Sequence, residues 1–282
     1  MRGFNSVLPG LLVLLWAGQA AAADCGGEET PCEIEDGFYH ALAPAEGGAG
    51  APLVVWLHGA GGRAVSPVRP DRTGKRYTDR GYVFVAPQGA PDPARPNMRD
   101  WNVADGYAVP RDDIAFLSAV IDDAVARFDA DPDRVLLAGF SRGASMAWDY
   151  ACARPEKVAA IAAVAGGFWE PMVTTCAAPV HLYHTHGFKD PMVPLEGRKV
   201  RWKEFGFHQG NILKGLDVWR EVNGCMGKAD ESAPDGDIWR KRWTGCENGS
   251  VSFDLTTGGH GIPVGWSGRM MDWFEALPAA SE

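Results

Sequence analysis

The chain has 282 residues, and a hydrophobic fraction of 46% is ample for a packed core. A length of this order suits one large domain better than two small ones. The net charge is −9, an acidic balance that argues against nucleic acid or an anionic membrane surface as a partner.

Residues 1–23 have the pattern of a secretion signal. Arg2 supplies the positive start, residues 8–16 an apolar stretch, and residues 19–23 small side chains for cleavage. The run is too short to span a membrane. Cys25 stands where a lipidated cysteine would, but Asp24 precedes it where a small residue is expected. The expectation is therefore an exported protein, secreted or periplasmic, with no membrane anchor. Residues 24–282 are then expected as a single domain, with no linker dividing them.

Six cysteines follow the leader, and an even count in an exported chain implies disulfides. Six cysteines allow about fifteen connectivities. Cys25 with Cys32 would close a small N-terminal loop, and Cys225 with Cys246 would staple the region before the last strand. Cys152 and Cys176 would remain. No C-x-x-C pair exists, so a zinc site is not expected. The eleven tryptophans are expected mainly as core or rim packing.

Past the leader, residues 38–42 are expected as an edge strand and residues 44–52 as a loop. Leu53-Val54-Val55-Trp56-Leu57 and Tyr82-Val83-Phe84-Val85-Ala86 are continuous apolar runs of strand length, the pattern of buried parallel strands. Ile114, Leu117, Ile121, Val125 and Phe128 fall on one helical face. Asp112 and Asp113 open that helix, where its dipole favours negative charge. Strands are expected at residues 135–138, 158–164, 180–184 and 251–255, and helices at 144–153 and 270–277. Residues 191–223 are the least regular and are expected as a cap or surface excursion. Residues 226–237, rich in Gly, Asp and Pro, are expected as a mobile loop. Alternating strands and helices predict a mostly parallel central sheet with helices on both faces.

The most informative stretch is Gly139-Phe140-Ser141-Arg142-Gly143. It lies between an apolar strand and a helix-like segment. A serine on such a turn is thrust outward, and the glycines let strand and helix approach. A serine hydroxyl needs a base within hydrogen-bond reach, and the base needs an acid to fix its tautomer. His260, in Thr257-Gly258-Gly259-His260-Gly261, follows the last strand. Asp190, in His186-Gly187-Phe188-Lys189-Asp190, follows the strand before it. Each has a plainer reading: Asp190 before Pro191 as a turn former, His260 as a surface loop residue. Together they stand in the order Ser, Asp, His, each after a strand, as the α/β-hydrolase arrangement requires. Asp254 and His181 lie within strands and His40 lies too early to compete.

The negative oxygen of a tetrahedral intermediate needs two aimed donors. The backbone N–H of Arg142 is one candidate. The other is the N–H of Ala60, in Leu57-His58-Gly59-Ala60-Gly61-Gly62, a glycine-rich loop directly after a strand. His58 is read as an organiser of that loop, not as the base.

These stretches, with Trp101-Asn102, Asp112-Asp113-Ile114-Ala115-Phe116-Leu117, Asp131-Pro132-Asp133-Arg134-Val135, His186 to Pro194, and Trp219 with Asn223 and Cys225, carry a resemblance. The chain resembles the exported polyhydroxybutyrate depolymerase and feruloyl esterase group of α/β-hydrolases, from about Cys25 to His260. The resemblance implies a Ser141–Asp190–His260 triad and an oxyanion hole at Ala60 and Arg142. It also implies a serine carboxylesterase acting on a small ester or an ester-linked polymer fragment, with no metal or organic cofactor. Two features depart from the family. Arg142 occupies a place usually held by a small or uncharged residue, and is expected to pair with Asp149 or another surface carboxylate. No separate polymer-binding domain follows the catalytic histidine, so soluble esters are expected rather than bulk polymer.

Overall fold

The computed structural model describes residues 25–93, 95–104, 109–202 and 205–278. The expected leader, residues 1–23, lies outside the described residues. The chain begins with a short antiparallel ladder, Cys32–Ile34 (β1) against Gly37–Leu42 (β2). Leu53–Leu57 (β3) is buried at every position. Helix Thr73–Thr78 (α1) leads to Val83–Pro87 (β4), also buried throughout. A strand apolar on both faces can be buried on both faces, which is the requirement of a covered parallel sheet.

A ribbon of Ala90–Asp92 (β5) and Arg95–Asp100 (β6) stands apart from the main sheet. Helix Asp113–Phe128 (α2) starts where the Asp112 side chain accepts the Ala115 N–H at 3.0 Å. It ends at Asp129, in the left-handed region. Val135–Phe140 (β7) runs directly into Arg142–Ala153 (α3). Ala160–Val164 (β8) and His181–Gly187 (β9) follow. A detached hairpin, Arg198–Trp202 (β10) with Phe205–Gln209 (β11), precedes Ile212–Val222 (α4). Glu231–Asp235 (β12), Ile238–Trp243 (β13) and Ser250–Thr256 (β14) form a meander, and Trp266–Glu275 (α5) comes last.

Ten strands make one sheet in the order β1-β2-β4-β3-β7-β8-β9-β14-β13-β12. The stretch from β4 to β14 is parallel, and the margins are antiparallel. One face packs Leu53, Val55, Leu137 and Phe253 against α2, α3 and α4, through Phe116, Trp148 and Leu216. The other packs Val54, Phe84, Ala138 and Tyr183 against α1 and α5, through Tyr77, Trp266 and Phe274. This is the expected mostly parallel sheet with helices on both faces, an α/β-hydrolase fold. The order doubles back at β3, which lies between β4 and β7. The carboxyl ends of β3 and β7 are therefore adjacent where the winding reverses, which is where open α/β sheets hold ligands.

Three expectations are corrected. Residues 38–42 are not an edge, because β1 pairs outside them. Residues 191–223 hold the β10–β11 hairpin, which stands apart from the main sheet as a surface excursion would, but they also hold α4, which packs on the core through Ile212, Leu216 and Trp219. Residues 226–237, expected as a loop, contain β12, which pairs with β13 at the sheet margin. β12 is exposed at every position, so it carries no apolar alternation to mark it as a strand. The disulfides are Cys25–Cys32, Cys152–Cys176 and Cys225–Cys246, and no cysteine among the described residues is free.

Candidate active site

Ser141 has φ 55° and ψ −118°. Positive φ is strained for a residue with a side chain, at a cost of about 1–3 kcal/mol, and persists only where the surroundings impose it. Here they do. The Ser141 N–H donates to Val164 O at 2.8 Å, and Ser141 O accepts the Ser145 N–H at 3.0 Å. A Cβ on Gly139 would strike Gly143 O, and one on Gly143 would strike Leu57 O. These are the glycine requirements read from the sequence. A third was not anticipated: a Cβ on Gly166, beyond β8, would strike Ser141 O.

Strands β9 and β14 are parallel neighbours, with His186 opposite Leu255 and Gly187 opposite Thr256. The loops leaving them therefore emerge side by side. They are stitched by Phe188 N–H to Thr256 O at 2.8 Å and Lys189 N–H to Gly258 O at 2.9 Å. This brings Asp190 and His260 together across 70 residues, with Nδ1 of His260 2.7 Å from Asp190 Oδ2. Nε2 of His260 lies 2.9 Å from Ser141 Oγ. The imidazole packs on Phe140, ring centroids 5.0 Å apart. Hydroxyl, imidazole and buried carboxylate form one hydrogen-bonded line, which can pass a proton from an oxygen to a ring nitrogen and stabilise the cation formed.

The plainer reading of Asp190, as a turn former, has a direct structural basis. Its Oδ1 accepts the N–H groups of Met192 at 2.8 Å and Val193 at 2.9 Å, so the carboxylate builds its own turn. Beneath it lie two histidines whose function the sequence did not signal. His186 Nε2 donates to Val193 O at 2.7 Å, which leaves Nδ1 to accept from His184 Nε2 at 3.1 Å. Burial holds both rings below the ordinary imidazole pKa, so the pair tethers the Asp190 turn as neutral groups.

His58 organises the glycine-rich loop, as expected. It is buried, and its Nδ1–H donates to Gly59 O at 2.7 Å. Its Nε2 accepts the Gly89 N–H at 3.0 Å and lies 3.0 Å from Gln88 Nε2. Burial pushes its pKa down to about 4, which keeps Nε2 an acceptor at neutral pH. The Gly61 N–H donates to Arg99 O at 2.7 Å and the Gly62 N–H to Gly59 O at 2.9 Å. A Cβ on Gly59 would stand 3.3 Å from Ser141 Cβ, so the loop lies directly against the serine. Ala60 is thereby held beside the elbow.

Arg142 does not behave as expected. Its ion-pair partner is Asp100, which is wholly buried, with Nε 3.3 Å from Oδ1. Asp149 feels the guanidinium only as a through-space charge. Asp113 is also more than a helix-end charge. It is buried, accepts the Asn102 N–H at 2.7 Å and pairs with Arg111 at 2.6 Å. The rejected acids and histidines are structural. Asp254 is buried and accepts from Tyr183 Oη at 2.6 Å and Arg240 Nε at 2.9 Å, and His40 bonds Gly27 O at 2.6 Å. Among the described residues no cluster of three His, Cys, Asp or Glu is placed to hold a metal.

A family model described as phospholipase/carboxylesterase matches residues 44–205, more than half of the chain. Feruloyl esterase C of Emericella nidulans is 26% identical over 248 residues, covering 85% of this chain and 78% of that protein. Among solved structures, an acetyl xylan esterase from Aspergillus awamori superposes with a TM-score of 0.65 at 15% identity, covering 85% of this chain and 94% of that one. A Bacillus cereus carboxylesterase gives 0.57 at 14% identity, covering 86% and 94%. At those identities the structural likeness speaks for the fold. The family match, the feruloyl esterase relative and the architecture agree, and the chain belongs to the phospholipase/carboxylesterase family as a carboxylic ester hydrolase of the α/β-hydrolase fold.

Proposed function

We propose that the protein is an exported serine esterase that cleaves small aryl, feruloyl-type or short-chain (hydroxy)acyl esters. The observation that carries this reading is the line from Ser141 Oγ through His260 to Asp190, at 2.9 Å and 2.7 Å. In this scheme Ser141 Oγ attacks the ester carbonyl while its proton passes to His260 Nε2. Asp190 holds the imidazole by Nδ1–H and stabilises its charge. The tetrahedral oxygen is received by the backbone N–H groups of Ala60 and Arg142. Collapse breaks the bond to the alcohol oxygen, which departs with the proton from His260. Water then gives a proton to His260, attacks the acyl-serine, and releases the acid as Ser141 recovers its hydrogen.

Three disulfides in a chain of this size support an oxidising compartment and hence export of residues 24–282. The feruloyl esterase relative supports an aromatic acyl group. The test is a hydrolysis screen of feruloyl and acetyl esters against hydroxybutyrate oligomers, run with wild type and Ser141→Ala. Small esters are expected to turn over faster than oligomers, and Ser141→Ala to lose on the order of a million-fold in turnover. Substantial activity in a cleanly folded Ser141→Ala protein would remove Ser141 from this role.

A further inference from the structure

The two donors assigned to the oxyanion belong to different strands, Ala60 beyond β3 and Arg142 beyond β7. A donor pair is effective only when both dipoles are aimed before charge develops, so their separation must be held by something else. We propose that Arg99-Asp100-Trp101, at the end of β6, is a brace that fixes the spacing of the two donors, with the Asp100–Arg142 ion pair as its tie to the elbow. The proposal rests on reading Ser141 as nucleophile and Ala60 and Arg142 as oxyanion donors.

Three consecutive residues make three links. Arg99 O accepts the Gly61 N–H at 2.7 Å. Trp101 Nε1–H donates to His58 O at 2.8 Å. Those two bonds grip the loop on either side of Ala60. Between them in sequence, Asp100 Oδ1 lies 3.3 Å from Arg142 Nε. That third link grips the side chain of the residue whose own amide is the second donor. One strand end therefore touches both halves of the oxyanion hole.

The brace is itself anchored. Asp100 pairs with Ala90 in the β5–β6 ladder, and its Oδ1 accepts the Trp101 N–H at 2.9 Å. The next residue, Asn102, donates its N–H to Asp113 at 2.7 Å, and Asp113 is locked to Arg111 at 2.6 Å. On the far side of the tie, the Arg142 guanidinium lies 4.1 Å from the centroid of Trp169. Trp169 in turn donates from Nε1 to Ser145 Oγ, on the elbow helix, at 3.3 Å. The Arg142 side chain is 10% exposed and Asp100 is not exposed at all. A guanidinium held between a buried carboxylate and an indole face is placed as a strut.

Asp100 and Trp101 are positioning residues, because they act through the donors. The oxyanion exists only in the transition state. Loosening the brace should therefore lower kcat and leave KM nearly unchanged. Asp100→Asn keeps the side-chain shape and removes the charge of the tie. Trp101→Phe keeps an aromatic ring and removes the donor to His58 O. Each is expected to reduce kcat on a small neutral aryl ester roughly 10- to 100-fold, less than the loss of a donor outright. KM should stay within about twofold. Affinity for a boronic-acid transition-state analogue should fall in step with kcat, whereas affinity for the carboxylic acid product should not. Thermal melts establish folding, and if Asp100→Asn does not fold, Trp101→Phe decides. Undiminished kcat in the folded variants, or a rise in KM at constant kcat, would overturn the brace alone. A Ser141→Ala protein assayed alongside separates the two claims: retained activity there would overturn the nucleophile, and the brace with it.

Discussion

One oxygen of Asp190 holds a turn and the other holds an imidazole, and the two duties can be separated by substitution. Asn at this position can still accept from Met192 and Val193 through its carbonyl oxygen. Facing His260 it then presents its NH2, an uncharged donor that cannot accept the Nδ1 proton. Asp190→Asn is therefore expected to fold with a melting temperature near that of wild type and to lose about 10⁴-fold in kcat. Asp190→Ala removes both functions and should lose stability as well, since two backbone donors forfeit their acceptor. Equal melting temperatures for the two variants would show that the turn does not depend on the carboxylate. The serine, the histidine and this aspartate were legible in the chain for a local reason. Each stands just past a run of apolar residues, and such runs become parallel strands whose carboxyl ends share one side of the sheet.

At the scale of elements, the elbow works because β7, β8, α3 and the β3 loop meet without side chains between them. Gly139 and Gly143 announced this in the sequence by flanking the serine. Gly166 did not, since it is 25 residues away and meets Ser141 only because β8 lies beside β7. A Cβ there would press on the Ser141 carbonyl, which is already bonded to the Ser145 N–H. Gly166→Ala should therefore destabilise by about 1–3 kcal/mol, the usual range for overpacking, and should depress kcat by displacing the serine. Denaturant unfolding and steady-state kinetics check both parts. Unchanged stability with full activity would mean that the elbow yields more easily than its packing suggests. The β12–β13 hairpin is the opposite case, an element whose first strand has no apolar pattern: β12 is solvated along its whole length and is placed by its pairing with β13.

Across the whole molecule, buried neutral histidines tie stability to pH. His58, His184 and His186 all sit below the ordinary imidazole pKa because burial opposes their charge. Unfolding releases these rings to bind protons once the pH falls below about 6.5. The unfolded state then holds more protons than the folded state, so stability falls as pH falls. For His58, with a folded pKa of about 4, the window runs from about pH 6.5 down to 4 and the loss is on the order of 3 kcal/mol. Asp113 works in the other direction, because burial raises its pKa and favours proton uptake by the folded state. A comparison with His58→Gln isolates the imidazole. Wild type should be more stable at pH 7, and the difference in melting temperature should shrink by pH 5. A constant difference over that range would contradict a neutral acceptor at His58.

The sequence by itself determined the fold class and the order of the parallel strands along the chain, and it nominated the three residues of the candidate triad, which the fold brings within hydrogen-bond reach. Apolar runs, helical spacing and glycine-flanked turns are written in neighbouring residues, where local sterics and burial act. It suggested the three cysteine pairs that form, without excluding the other connectivities, and only the packed chain selects among them. It placed Arg142 next to the serine without its partner, and it read Asp113 as a helix-end charge. Asp100 reaches Arg142, and Asp113 reaches Asn102, through the β5–β6 ribbon folding back over the ends of β3 and β7. A charge next to a motif has many carboxylates within reach along the chain, and burial chooses among them only once the tertiary structure has formed.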